Sequence, residues 1–196
     1  MADGEADKES LQTPRPGPAG LVSPSAGPEE TVRAAIVGTS QAVRRYLFGM
    51  CGDWHEAQDL AQEALLKAWE KRGSFAGRAG AKTWIFAIAR NAWLDRLRRA
   101  RAGPTRQSMN DELTSRADPP SLAMSRAELA SAVRRACARL PVEQREAVAL
   151  RESEGLSFSE IGQLLGVPPA TVKSRVRYAL LKLAEELEPY RRELES

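Results

Sequence analysis

The chain has 196 residues, 42% of them hydrophobic and 28% charged, which suits packed cores beneath a solvated surface. No stretch approaches the ~18 consecutive apolar residues of a membrane-spanning helix, so no membrane insertion is expected. The net charge of +3 is unevenly distributed: residues 1–30 carry six acidic and two basic side chains, so the other 166 residues stand at +7 and favour polyanionic partners.

The N-terminal 28 residues are predicted to form a disordered tail, because they are rich in proline and glycine and poor in aromatic residues. They lack the basic and apolar segments of a secretory signal, so a cytoplasmic location is expected. A second proline- and glycine-containing stretch, beginning near Arg101, predicts a flexible linker between two blocks. The predicted segments are a tail at 1–28, a domain at 29–101, a linker at 102–121, a domain at 122–188 and a C-terminal tail at 189–196.

Two cysteines, Cys51 and Cys137, lie far apart in the sequence, and His55 is the one histidine. These residues are too few and too widely spaced for a disulfide framework or a zinc site. We expect ordinary thiols of a reducing compartment, with a redox switch as the alternative, and neither a metal nor a cofactor.

Helical periodicity dominates the first block, where no strand pattern is convincing. Apolar residues of the first helix return to one face: Val32, Ile36, Val43, Leu47 and Met50. The second helix does the same: Ala57, Leu60, Ala61, Ala64, Leu65 and Ala68. Asp53 is predicted to cap the second helix, with Glu56 three residues later. A third helix is predicted over residues 81–101.

The second block begins with a capping-box spacing, Ser125 with Glu128. The helix behind it aligns Leu129, Val133, Ala136, Cys137 and Leu140. Pro141 suits the first position of the next helix, because its missing N–H has no partner there. That helix is predicted to end near Gly155.

Residues 156–187 predict a helix-turn-helix. Ser157 and Glu160 have capping-box spacing, and Leu156 and Ile161 are placed for a hydrophobic staple. Gly166 permits a sharp turn, and Pro169 can open the second helix. The predicted buried face of that helix comprises Val172, Val176, Ala179, Leu180, Leu183 and Leu187.

The opposite side of this last helix is polar and basic near its N-terminal end. It presents Thr171, Lys173, Ser174, Arg175 and Arg177. Recognition helices place base-reading and phosphate-binding groups in this position. The alternative is an ordinary solvated helix of an αα-hairpin, but a capped short helix, a glycine turn and a basic second helix together favour DNA recognition.

The third helix carries further arginines and follows a glycine-rich loop at residues 73–80. Trp84 and Phe86 stand among these cations, as single-stranded nucleic acid requires for base stacking and charge neutralisation. Aromatic residues at helical spacing are more often core residues. Packing and DNA contact therefore remain equally open for Trp84 and Trp93.

One face of the second helix is acidic with a single leucine: Asp59, Gln62, Glu63, Leu66 and Glu70. This face repels DNA and suits a basic protein surface. A merely solvated face is the simpler interpretation on this pattern alone.

These segments, in this order, resemble a bacterial RNA polymerase sigma factor of the extracytoplasmic-function (ECF) group of the sigma-70 family. The motifs that carry the resemblance are EAQDLAQEALLKAW at 56–69, WIFAIARN at 84–91, LP at 140–141 and TVKSR at 171–175. The resemblance covers roughly residues 29–100 and 122–188 and implies an all-α fold. A region 2-like helical bundle and a region 4-like helix-turn-helix would be joined by the flexible linker. The chain departs from the family pattern at Pro168-Pro169-Ala170, which offers no side-chain cap and no glycine before Thr171.

The resemblance also implies roles for individual residues. The residues implied to bind the β′ clamp helices of core RNA polymerase are Asp59, Gln62, Glu63 and Leu66. Those implied to capture and melt the −10 promoter element are Phe75, Arg78, Lys82, Trp84, Arg90 and Asn91. Those implied to read the −35 element, in a domain that also touches the β flap, are Thr171, Lys173, Ser174, Arg175 and Arg177. An anti-sigma partner is a further implication.

Two other classes compete with this interpretation. A stand-alone helix-turn-helix regulator would bind duplex DNA without polymerase, and it leaves the acidic helix unexplained. An enzyme is disfavoured by the single histidine, the lack of a Walker-type phosphate loop and the lack of clustered metal ligands. We therefore expect a non-enzymatic initiation subunit that promotes promoter melting by preferring the open state.

Overall fold

The computed structural model describes residues 27–77, 79–102 and 126–194. Within these ranges the chain is all-helical, as the sequence predicts, and contains no strand. The α helices are α1 (Pro28–Cys51), α2 (Trp54–Glu70), α3 (Ala81–Ala102), α4 (Arg126–Arg139), α5 (Val142–Glu154), α6 (Phe158–Leu165) and α7 (Pro169–Leu194), with a 3-10 turn at Arg72–Ser74. The predicted tail before residue 27, the linker and the Ser125 cap lie outside the described residues.

Helices α1, α2 and α3 form a bundle in which the predicted apolar faces turn inward. Every predicted apolar position of α1 and α2 is buried except Ile36 and Leu65, which are half-buried. The Glu56 N–H donates to Asp53 Oδ1 at 2.7 Å, which confirms the predicted cap of α2. Gly52, at φ 75°, ends α1 in the left-handed conformation that glycine adopts without a Cβ penalty. This cap turns the chain directly from α1 into α2.

The C-terminal half contains α4 to α7. Helix α5 ends at Glu154 with Gly155 as its C-cap, which agrees with the predicted end near Gly155, but Pro141 is its N-cap rather than its first helical residue. Leu180 was predicted to be buried but is 49% exposed, and Val133, on the aligned apolar face of α4, is also exposed. Periodicity identifies the apolar side of a helix but cannot reveal whether another helix covers it. Helix α7 continues through Pro189 to Leu194.

The two halves share one hydrophobic core. Helix α5 packs on α1, and α6 packs on α3. Leu150, Leu156 and Ile161 belong to the same buried cluster as Leu47 and Phe86. A Cβ built on Gly49 of α1 would lie 3.3 Å from the Ala149 Cβ of α5. A side chain larger than hydrogen at position 49 would therefore press on α5.

Candidate nucleic-acid interface

The helix-turn-helix is organised by a capping box and a close turn. The Glu160 N–H donates to Ser157 Oγ at 3.2 Å, and the Ser157 N–H donates to Glu160 Oε2 at 2.8 Å. Hydrogen bonds from Ser157 hold the pKa of Glu160 below its usual value. Leu156 and Ile161 are both buried, as the predicted staple requires, and Gly166 closes α6 at φ 68°. These features set the angle at which α7 leaves the turn.

Helix α7 separates a buried face from a cationic one. Val172, Val176 and Ala179 are buried. Lys173, Ser174 and Arg177 are exposed, while Thr171 and Arg175 are half-buried. The first turn contains no acidic residue, so the partial positive charge of the helix N-terminus adds to the cations. The structure thus brings all five predicted −35 residues onto the first three turns of one helix.

The loop before α3 and the start of α3 form an aromatic pair. The Phe75 and Trp84 rings lie 5.4 Å apart between centroids, and both side chains are half-buried. Trp93 is only 7% exposed and belongs to the core, which decides its role in favour of packing. Trp84 packs against the edge of the core yet keeps part of its surface accessible. Arg78 lies outside the described residues.

Three polar residues predicted for the same surface lie along α3. Asn91 is exposed, and Lys82 and Arg90 are half-buried. Arg90 is not directed at solvent alone: its Nε donates to Glu146 Oε1 of α5 at 2.8 Å. The sequence pattern contained no signal for this contact, because 56 residues separate the two side chains.

The acidic face of α2 is a continuous surface. Asp59, Gln62 and Leu66 are exposed, Leu66 by 62%, and Glu63 is half-buried and paired with Lys67 at 2.5 Å. These positions are spaced by three and four residues, so they share one side of the helix.

Trp69 extends this face and was missed by the sequence analysis. It is 43% exposed, and the Arg72 guanidinium stacks 4.2 Å from the centroid of its ring. Its spacing of three residues from Leu66 was the signal that could have found it. At the other end, Arg96 Nε lies 2.9 Å from Glu56 Oε1 and ties α3 to α2.

The two cysteines are half-buried and form no disulfide. Burial raises the pKa of the Cys51 thiol to about 11, and burial also raises the pKa of Cys137. Neither thiol has the low pKa of a reactive cysteine. Across the described ranges, no group of three or more His, Cys, Asp or Glu residues could hold a metal ion. No helix in that part of the chain is long and apolar enough to cross a membrane.

Both halves of the chain match known protein families. The Sigma-70 region 2 family matches residues 38–103, and the family Sigma-70, region 4 matches residues 130–183. The ECF RNA polymerase sigma factor SigL of Mycobacterium tuberculosis is 34% identical over 168 residues, covering 83% of this chain and 92% of SigL. SigM of the same species is 42% identical over 132 residues, 67% of this chain, and the match spans 64% of the length of SigM.

Solved structures share the fold. The sigma factor RpoE of Bartonella quintana, in complex with the anti-sigma factor NepR, superposes with a TM-score of 0.62 at 27% identity, covering 80% of this chain and 96% of RpoE. CnrH, solved with the cytosolic domain of CnrY, has a TM-score of 0.53 at 21% identity, covering 82% and 97% of the two chains, a likeness of fold alone.

The described residues are all-helical, and within them a capped short helix, a glycine turn and a basic second helix form a helix-turn-helix. With both sigma regions matched in order, the chain belongs to the ECF group of the sigma-70 family of RNA polymerase sigma factors. Membership of this family disfavours a stand-alone helix-turn-helix regulator, because such a regulator does not need a region 2.

Proposed function

We propose that the chain is a dissociable initiation subunit that binds core RNA polymerase, directs it to specific promoters and assists strand opening. The observation that carries this proposal is that one chain has an exposed acidic and apolar face on α2 and an exposed basic face near the N-terminal end of α7. A regulator that binds only duplex DNA needs the basic helix but not the acidic and apolar face. We assign residues 29–101 to the region 2-like module and residues 122–188 to the region 4-like module, which the two family matches support.

The docking surface is proposed on α2, at Asp59, Gln62, Glu63 and Leu66, with Trp69 added. Carboxylates steer and orient a basic partner surface, while an exposed leucine and tryptophan supply apolar area to bury. The partner is proposed to be the β′ clamp helices of the polymerase. The Arg72 stack limits the freedom of the Trp69 ring, so less side-chain entropy is lost on binding.

The −10 surface is proposed to comprise the Phe75–Trp84 pair with Arg78, Lys82, Arg90 and Asn91. An accessible aromatic ring can stack on an unpaired base, which duplex DNA does not offer, and neighbouring cations hold the phosphates. Because such contacts exist only with separated strands, their binding energy favours the open promoter. No covalent step is required, so a non-enzymatic role follows.

The −35 surface is proposed on the first three turns of α7. Lys173, Arg175 and Arg177 would contact phosphates or guanine edges, and Thr171 and Ser174 would make shorter polar contacts. The same module would touch the β flap. We place the protein in the cytoplasm, where the polymerase works. An anti-sigma partner is also proposed, supported by the likeness to RpoE in its complex with NepR.

Charge reversal on α2 tests the docking step. The variant Asp59→Lys/Glu63→Lys should lose at least about tenfold in affinity for purified core polymerase, because two attractive charges become repulsive. The matched control is Glu152→Lys/Glu185→Lys, which makes the same change in net charge at two exposed positions of the other half. Equal polymerase affinity for both variants would remove the docking assignment, provided that circular dichroism shows both to be folded.

A further inference from the structure

Arg72 lies in the chain between the docking surface on α2 and the −10 surface. It follows the exposed Trp69 of α2 by three residues and precedes Phe75 of the aromatic pair by three. It also begins the 3-10 turn at Arg72–Ser74, which joins α2 to the loop before α3. A single residue therefore connects the two surfaces along the backbone.

The Arg72 side chain is held by three contacts on the side of the docking surface. Its guanidinium stacks 4.2 Å from the centroid of the Trp69 ring, and its Nη1 donates to the Trp69 carbonyl oxygen at 2.8 Å. Its Nε lies 3.4 Å from Oε2 of Glu29, in the first turn of α1. An exposed ion pair alone contributes little, and the Glu29 side chain is 63% exposed. All three contacts act on one planar group, however, so together they fix its position.

The backbone of Arg72 holds the side of the −10 surface. The Phe75 N–H donates to the Arg72 carbonyl oxygen at 3.2 Å, which closes the 3-10 turn. The Glu29 carboxylate lies over this turn, because a Cβ built on Gly73 would be 3.6 Å from Glu29 Oε1. Phe75 then packs on Trp84, with 5.4 Å between the ring centroids. A displaced Arg72 side chain would therefore loosen the turn that places the Phe75 ring.

From these contacts we infer that Arg72 is a positioning residue for capture of the unpaired −10 strand. Its side chain is anchored on Trp69 and Glu29, and its backbone holds the turn that places Phe75. A ring that is already held in place binds a base more tightly, because it loses less side-chain entropy on binding. The inference rests on the proposed function, since the position of Phe75 matters only if this ring stacks on a promoter base.

A direct phosphate contact is the alternative role for a cation beside the −10 surface. The two roles predict opposite effects of the neighbouring carboxylate. If Arg72 bound DNA, Glu29 would compete with phosphate for it, and Glu29→Gln would strengthen DNA binding. If Arg72 is a positioning residue, the same substitution removes an anchor and weakens DNA binding. The contacts favour the second role, because the guanidinium is stacked and hydrogen-bonded on Trp69.

The test uses holoenzyme, assembled from the full chain and purified core polymerase at concentrations that saturate docking for every variant. The probe is a fluorescein-labelled single strand covering the −10 element of a promoter at which the chain directs initiation, and fluorescence anisotropy measures its Kd. The variants are Arg72→Ala, Arg72→Lys and Glu29→Gln. Glu30→Gln is the matched control, because Glu30 is the next residue of α1 and pairs with Arg33 at 3.8 Å.

Arg72→Ala should weaken binding of the single strand by about tenfold, within the range that loss of one base stack produces. Arg72→Lys should recover little of this loss, because an ammonium group keeps the charge but not the planar stack. Glu29→Gln should weaken binding by about two- to threefold, as expected for one exposed anchor. The control Glu30→Gln should leave the Kd unchanged.

Tighter binding by Glu29→Gln, or full recovery in Arg72→Lys, would overturn the inference and identify Arg72 as a phosphate ligand. Unchanged binding in all three variants would also overturn it and would leave the proposed function standing. A wild-type holoenzyme that does not bind the strand would count against the proposed function itself, and the inference would fall with it. Circular dichroism checks folding, and Glu29→Gln keeps the test valid should Arg72→Ala fail to fold, because Glu29 is exposed.

Discussion

The carbonyl oxygen of Val167 lies so close to Gly162 that a Cβ built on this glycine would be only 2.7 Å away. The Val167 N–H donates back to the Gly162 carbonyl oxygen at 3.0 Å, so the turn between α6 and α7 is held from both sides. The clash involves backbone, which cannot rotate away as a side chain can. Position 162 therefore helps to set the path by which α7 is presented.

Gly162→Ala should destabilise the chain by about 1–3 kcal/mol, because the added methyl group forces the turn open. Urea unfolding followed by circular dichroism measures the change. Gly38→Ala is the matched control: Gly38 lies inside α1 with nothing within 4 Å of a built Cβ. The control substitution should raise the free energy of unfolding by roughly 0.5–1 kcal/mol, because alanine favours a helix interior over glycine. Equal effects at the two positions would contradict the close turn.

Ser157→Ala should cost about 0.5–2 kcal/mol, because it removes the side-chain half of the capping box of α6. Ser159→Ala, at an exposed position two residues further on, should cost less than about 0.5 kcal/mol. The difference between the two variants in urea unfolding isolates the cap. If the two losses are alike, the box contributes nothing measurable.

The cap also has a pH signature. The folded pKa of Glu160 is lowered from 4.5, chiefly by hydrogen bonds from Ser157. A lowered folded pKa contributes stability that is present above the unfolded value and is lost as pH falls through the folded value. The stability advantage of the wild type over Ser157→Ala should therefore shrink as the pH is lowered below about 4.5. A stability difference independent of pH in that range would argue against an ionised Glu160 in the box.

Lys173→Ala and Arg175→Ala should each weaken binding to duplex promoter fragments by about 1–3 kcal/mol if the side chain reads a base. Fluorescence anisotropy at fixed salt measures the affinity. The control is Lys182→Ala, which removes one positive charge at an exposed position further along α7, outside the proposed surface. This control should reduce the affinity for duplex DNA far less. If the three losses are equal, general charge rather than this surface accounts for binding.

Cys51 should resist alkylation in the folded chain. Its pKa of about 11, against an ordinary value of 9.0, leaves about one hundredth of the usual thiolate at pH 8. Because the folded pKa is raised, the associated stability is present below pH 9 and declines as the pH rises towards 11. Iodoacetamide labelling read by mass spectrometry should be slow when folded and ordinary in urea. Fast labelling of the folded chain would indicate a redox-competent thiol.

Local signals predicted most of the fold. The caps at Asp53 and Ser157, the turn at Gly166 and the start of α7 at Pro169 depend on neighbouring residues, so the sequence pattern contains them. Leu180 was wrongly predicted to be buried, because amphipathic spacing indicates which side of a helix is apolar but not whether another helix covers that side. Burial likewise separated Trp93 from Trp84, which the sequence pattern could not do.

Long-range polar contacts were beyond the sequence pattern. Glu146 meets Tyr46 across 100 residues and Arg90 across 56, and no periodicity links such positions. The five residues predicted to read the −35 element were easier to place together, because they all lie on one helix. Of the exposed side chains on the α2 face, the polar ones and Leu66 were singled out from the sequence, and Trp69 was not.

Transcription from total genomic DNA tests the central claim most directly. Purified core polymerase, with and without the chain, is allowed one round of initiation, and the 5′ ends of the transcripts are mapped. We predict a discrete set of start sites, sharing upstream elements near −35 and −10, that appears only when the chain is present. Identical start sites with and without the chain would contradict a role in initiation.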